Sequence, residues 1–448
     1  MFLHKIVLSW VIVLAYAIPG VTQNSRKILS KAEERIEQYR KGECSIMLID
    51  DSEQAIAPGI KVKIEQTRHA FLFGCNIFWL FNPDRPIKEN EKNMAQSYAQ
   101  YFSDLFNFAT LPFYWASYEP EEGRPKKTTI EKAIAWCEQH QITMKGHTLA
   151  WNGAKEPSYL EKLTPKEAMQ KQMHRVSECV KTFQNKIDIW DVVNEATTYD
   201  RESNEKISPK LTHAIREVGV KTYLQESFHA ARKENPNALL IINDYVQSDT
   251  YRERVLNQMI VDKQPVFDAI GIQAHQQRGS MAPFELWGIC NRFAKYKVPL
   301  HFTEISFVSG SENVDYYKNN QHGKWASNQN GETRQAQDVV QFYTVLFSHP
   351  AVEAITWWDF SDDRSWLGAP SGLLRADMSP KPAYYALKKL IKEKWWTTTT
   401  VNVQSDNTVQ FRGFYGDYKV TVLQNGNEIT GTFRHDKNQT GVIQVKLK

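Results

Sequence analysis

The chain has 448 residues, with 55 Lys and Arg against 51 Asp and Glu for a formal charge of +4. Hydrophobic residues make up 42% and charged residues 24%, which excludes wholesale disorder, a basic field for nucleic acid and a polybasic membrane patch. Aromatic residues reach 12%, a content that suits sugars and apolar ligands and equally suits a large core.

At the N-terminus, Lys5 precedes an apolar run from Ile6 to Ile18 that is broken only by Ser9 and stopped by Pro19-Gly20. The run is shorter than the roughly 20 residues that span a bilayer. It predicts a secretory signal over 1–25 and a secreted or periplasmic protein without a membrane anchor, with a buried N-terminal helix as the alternative. Residues 26–69 read as a helix and a β-flank, with strands Cys44–Asp50 and Ile60–Gln66 around a turn at Pro58-Gly59.

From residue 70, short apolar runs alternate eight times with helical patterns. They are Phe71–Asn76, Phe106–Leu111, Thr143–His147, Ile187–Val193, Leu239–Asn243, Ala269–Gln273, Leu300–Thr303 and Ala354–Trp357. Near-continuous apolarity is what strands buried on both faces require. Between the third and fourth runs, Met169, Met173, Val176, Val180 and Phe183 lay one stripe along a helix. Its start is marked by Thr164 as cap, Pro165 at the first position and Glu167 closing a capping box. Eight strand–helix units over 70–396 predict an α/β fold, a (β/α)8 TIM barrel with a small β-rich flank. A doubly wound sheet is disfavoured because no glycine-rich phosphate loop follows the first strand. Residues 397–448 alternate like β-strands, and the two flanks are expected to pack together beside the barrel. Five widely spaced cysteines, Cys44, Cys75, Cys137, Cys179 and Cys290, form no ligand pattern, so no metal site is expected, and a chemistry of two carboxylates and water would need no cofactor.

Barrel chemistry sits at the C-terminal ends of the strands. There the fourth run ends in Asn194-Glu195 and the seventh in Thr303-Glu304, two carboxylates placed to face each other across a ligand. Glycoside hydrolysis needs such a pair, although a single strand-end Glu is more often a cap or an ion-pair partner. Around the same mouth lie His147, Trp151, Gln273, His275, Trp358 and Trp366, which offer donors to hydroxyls and indole faces to sugar C–H groups.

At these residues the chain is similar to glycoside hydrolase family 10, the family of retaining endo-1,4-β-xylanases. The matching segments are GHTLAW (146–151), WDVVNEA (190–196), INDY (242–245), GIQAH (271–275), TEI (303–305), the Trp358-to-Trp366 spacing and KPAYYAL (381–387). The resemblance implies Glu195 as general acid/base and Glu304 as nucleophile. It implies that Asn194 binds the sugar 2-hydroxyl, that His275 with Gln273 orients Glu304, and that His147 holds other hydroxyls. Trp151, Trp358 and Trp366 would form the walls. The expected partner is a polysaccharide or oligosaccharide, bound by a monomer.

One segment departs from the family. After the second strand, members usually show Glu-Asn-x-x-Lys-Trp, whose polar residues grip the next sugar; here the stretch is Thr110-Leu111-Pro112-Phe113-Tyr114-Trp115. Tyr114 with Leu111 and Phe113 is expected to make that subsite apolar. Asn152 stands where a His is common. The leading reading is a retaining endo-1,4-β-xylanase. The alternatives are the same chemistry on another β-linked glycan or glycoside, including exo action, and a non-catalytic glycan-binding protein.

Overall fold

The computed structural model describes residues 23–311, 325–424 and 426–448. Most of the expected signal segment lies outside these residues. Its last three, 23–25, begin helix α1 (Gln23–Ser30), in which Ser25 is fully buried. Helix α2 (Ala32–Arg40) then leads into β1 (Lys41–Ile49) and β2 (Lys61–His69).

The eight barrel strands follow in order. They are β3 (Leu72–Asn76), β4 (Phe108–Pro112), β5 (Thr143–Ala150), β6 (Ile189–Asn194) and β7 (Leu239–Asp244), then β10 (Ala269–Gln276), β11 (Leu300–Phe307) and β12 (Val352–Trp357). The two-residue strands β8 (Ile260–Val261) and β9 (Gln264–Pro265) form a hairpin before β10. All eight barrel strands pair in parallel, and β7 meets β10 to close the ring. Each corresponds to one of the predicted apolar runs. The differences are at the ends: β5, β10 and β11 run three or more residues past their predicted limits, because the polar residues there are buried by mutual pairing. Phe106 is excluded from β4 because it terminates the helix Lys92–Leu105.

The barrel interior is filled in layers. Leu72, Phe108, Ile189, Leu239, Ile241, Ala269 and Ala354 pack together across the strands as the lower layer. On the opposite face of β6 from Ile189, the ring of Trp190 is fully buried against Phe113 (5.0 Å). A Cβ on Gly146 would lie 2.2 Å from that ring, so position 146 has no room for a side chain. The helix Pro165–Thr182 starts as expected, with Thr164 Oγ1 accepting from Glu167 N at 3.3 Å and Glu167 Oε2 accepting from Thr164 N at 2.8 Å. Its buried Arg175 donates to the carbonyls of Phe113 and Leu149, pinning the ends of β4 and β5.

After the barrel, β13 (Thr398–Asn402), β14 (Thr408–Phe414), β15 (Gly416–Gln424), β16 (Asn427–His435) and β17 (Ile443–Lys446) combine with β1 and β2. One sheet is β14–β1–β17 and the other β13–β2–β15–β16. Alternate residues of both, including Ile46, Leu48, Val62, Ile64, Val409 and Val420, share a separate apolar core. Trp395 is buried, stacked on Phe347 (4.3 Å) and Phe73 (6.0 Å). All five cysteines are unpaired and buried. Among the described residues no helix is long and apolar enough to cross a membrane.

Candidate active site

The C-terminal ends of the barrel strands surround a cleft of about 810 Å³. Tyr114, His147, Trp151, Asn194, Glu195, Gln273, His275, Glu304, Trp358 and Trp366 all line it. Ten residues drawn from six strand ends and their loops therefore meet at one site.

Glu195 follows β6 in the left-handed conformation (φ 56°), and its N–H donates to Asn243 O at 2.8 Å. Burial pushes its carboxyl up to about 8; Gln273 works against the shift, while the charges of Glu304 and Asp244 add to it. Gln273 Nε2 donates to Glu195 Oε1 at 3.0 Å and lies 3.4 Å from Asn194 Oδ1. Gln273 thus serves Glu195 and not Glu304, contrary to expectation. A register shift between β10 and β11 sets Gln273 beside Glu304 along the sheet, but its side chain turns towards β6.

Glu304 is 5% exposed and held on both oxygens. Asn243 Nδ2 donates to Oε1 at 3.0 Å, and His275 Nε2 lies 3.3 Å from Oε2. His275 is fixed in turn by Ser306 Oγ, 2.9 Å from its Nδ1. Asn243 also donates to Asn194 Oδ1 at 2.7 Å and accepts from Thr303 Oγ1 at 2.6 Å. With its oxygen taken by Asn243 and Gln273, Asn194 presents its amide nitrogen to the cleft. Asn243 lies in the matching segment INDY (242–245), whose residues carried no individual role. Its position offered a signal, since it shares the inward face of β7 with Leu239 and Ile241.

His147 is buried, with Nδ1 2.8 Å from Asp191 Oδ2, which leaves Nε2 for the cleft. The same carboxylate oxygen lies 2.7 Å from Lys145 Nζ, and both residues are fully buried. Burial opposes charge on Asp191, but Lys145 and His147 together outweigh it and hold the carboxyl below its ordinary range. Trp358 stands edge-on to His147 (5.3 Å, 75°), and Trp366, 39% exposed, lies over His275 (4.7 Å).

Past His147 the wall is aromatic. Tyr114 packs against Trp151 (5.8 Å), His147 (5.5 Å) and Phe78 (5.7 Å). Phe78 lies in the loop after β3, where no periodic pattern marks it. Leu111 and Phe113 do not reach the cleft, which corrects the expected three-residue surface. Both are fully buried on the opposite face of the strand, Phe113 against Trp190 (5.0 Å) and Phe183 (5.4 Å). Asn152 is likewise structural: it donates to Tyr199 O (2.7 Å) and Thr212 Oγ1 (2.8 Å). Among the described residues no group of three or more His, Cys, Asp or Glu is arranged to hold a metal ion.

This arrangement can deliver a proton from one carboxyl and a nucleophile from the other, between hydroxyl-binding amides and indole walls. Comparison with known proteins agrees. The chain is 24% identical over 416 residues to the anti-sigma-I factor RsgI6 of Acetivibrio thermocellus, covering 91% of this chain but only 48% of that protein. It is 27% identical over 316 residues to endo-1,4-beta-xylanase B of Thermotoga neapolitana, covering 67% of this chain and 85% of the relative. The crystal structure of xylanase 10B from Thermotoga petrophila in complex with xylobiose superposes with a TM-score of 0.56 at 25% identity, over 72% of this chain and 95% of that one. The sequence model of glycosyl hydrolase family 10 matches residues 86–390, most of the chain and nearly all of its barrel, and the chain belongs to that family.

Proposed function

We propose that the protein is a secreted retaining β-glycoside hydrolase that cleaves β-1,4-linked xylan. The observation that carries the mechanism is the difference between its two carboxyl groups. Glu195 is pushed up to about 8 by burial, whereas Glu304 is gripped on both oxygens by Asn243 and His275. Glu195, protonated at rest, gives its proton to the glycosidic oxygen while Glu304 attacks the anomeric carbon. The Asn194 amide donates to the neighbouring hydroxyl, a bond that tightens as charge develops on the ring. Once Glu304 is esterified its negative charge is gone, one of the causes that raises Glu195 is removed, and Glu195 takes a proton from the incoming water as the water oxygen bonds to the anomeric carbon and the ester bond to Glu304 breaks. No cofactor enters this cycle.

Xylan is the preferred substrate because relatives and neighbours are named as xylanases and one holds xylobiose. Export rests on the apolar leader Ile6–Ile18. The test is Glu304→Ala, which should abolish turnover of an aryl β-xyloside and regain it with azide. NMR of the first product formed from xylo-oligosaccharides should show the β-anomer. Unimpaired turnover in Glu304→Ala, or an α-anomer formed first, would refute the mechanism; turnover of other β-glycosides but not xylosides would move the substrate.

A further inference from the structure

Beyond the aromatic wall, the cleft opens into a side pocket of about 350 Å³. The two share Tyr114, Trp358 and Trp366, so an occupant of the pocket is continuous with whatever lies in the cleft. Two guanidinium groups, Arg85 and Arg364, line it together with Asn82. Arg364 is nine-tenths buried. It is clamped by Glu91 and by Asp363 at 3.3 Å, and its guanidinium lies over the Trp79 ring at 4.6 Å. Its Nη1 is nevertheless buried and finds no hydrogen-bond partner among the described residues. A buried donor in that state is costly unless a ligand or water supplies an acceptor.

Arg85 is exposed at the pocket and takes part in no ion pair among the described residues. The acidic groups here are Asp359, which is buried and accepts from Ser371 Oγ at 3.2 Å, Asp363, which accepts from Trp79 Nε1 at 2.8 Å, and Glu91, which pairs with Arg364 and feels the charge of Arg85 as well. None of the three is within ion-pair distance of Arg85. A cation without a direct ion-pair partner among the described residues and an orphaned buried N–H thus share a pocket whose volume falls within the range of about 300–1,000 Å³ that ligand sites occupy.

Building on the glycosidase reading, we propose that this pocket receives a carboxylate-bearing sugar, a uronic acid branch on the backbone sugar held in the cleft. A carboxylate presents two oxygens in a plane, the shape that a guanidinium fork pairs with best. The shared tryptophans give the sugar ring an apolar face to rest on. The pocket lies on the same side as Tyr114, where the usual polar grip is missing, so recognition moves from the backbone sugar to its branch.

The experiment uses the full protein and two substrates: a glucuronate-branched xylo-oligosaccharide, and the same compound with its carboxyl reduced to the alcohol. The acidic form should show a kcat/KM about tenfold or more above the reduced form, as expected for one charge-assisted pair. In Arg85→Ala that ratio should fall towards one, and Arg85→Lys should restore part of it. A native ratio near one overturns the proposal, as does a ratio that survives Arg85→Ala. Should neither compound turn over, the hydrolytic reading fails separately, and calorimetric titration of the same pair decides the pocket. Weaker binding of the reduced form supports it; equal or absent binding overturns it.

Discussion

Asn243 offers the sharpest test of how the site is held. It is 1% exposed, and its amide nitrogen serves Glu304 at 3.0 Å and Asn194 at 2.7 Å. Replacing it with Ala removes one donor to a carboxylate, worth about 1.5–3 kcal/mol, and frees Asn194, worth roughly another 1 kcal/mol. Expressed in the transition state, a total of about 3 kcal/mol lowers kcat/KM on an aryl β-xyloside by about 100-fold. Because Asn243 acts through other groups, the loss should be strongly coupled to Asn194. A cycle with Asn194→Ala and the double variant should return an interaction energy of about 1 kcal/mol or more. Thermal unfolding of each variant separates loss of function from loss of fold. A loss below about fivefold in a folded Asn243→Ala protein, or strict additivity in the cycle, would refute the positioning role.

Four further outcomes follow from the same geometry. The active form carries a protonated Glu195, so kcat/KM should decline as pH rises through about 8, and Glu195→Ala should remove this alkaline limb on substrates whose leaving group needs no protonation. The folded state also binds that proton more tightly than the unfolded chain, so the stability it contributes is lost with rising pH. Glu195→Gln should therefore raise Tm more at pH 9 than at pH 6. Tyr114→Lys should raise turnover of linear xylo-oligosaccharides, whereas Leu111→Asn puts an amide into the core and should cost about 2–5 kcal/mol in denaturant unfolding, with no gain in activity. Gly146→Ala drives a methyl group against the Trp190 ring, and overpacking of that kind costs about 1–3 kcal/mol on the same assay.

The barrel was legible because a parallel strand buried on both faces must be nearly apolar throughout, as Leu239–Asn243 is, and because such runs recur eight times between helical patterns. The cap on Pro165–Thr182 was legible because it is local chemistry between Thr164 and Glu167. The lining residues could be named because strand ends and shared motifs mark positions. What they touch could not be read that way. A register shift sets Gln273 beside Glu304 along the sheet, yet its side chain reaches Glu195, and no residue type announces either. Lys145 and Asp191 look in sequence like any two charges, yet they pair fully buried inside the barrel. Leu111 failed as a cleft residue on strand parity: one position along β4, the side chain points to the other side.

The strand pairing of the small sandwich also constrains the order of assembly. Strand β1 is made early, but Glu43 meets Arg412 of β14 across 369 residues. At a synthesis rate of about 5–20 residues per second, the first strand waits roughly 20 to 70 s for its partner. Throughout that interval β1 and β2 hold open backbone edges and bare Ile46, Leu48, Val62 and Ile64, so the nascent chain carries an aggregation-prone surface while the barrel is still being made.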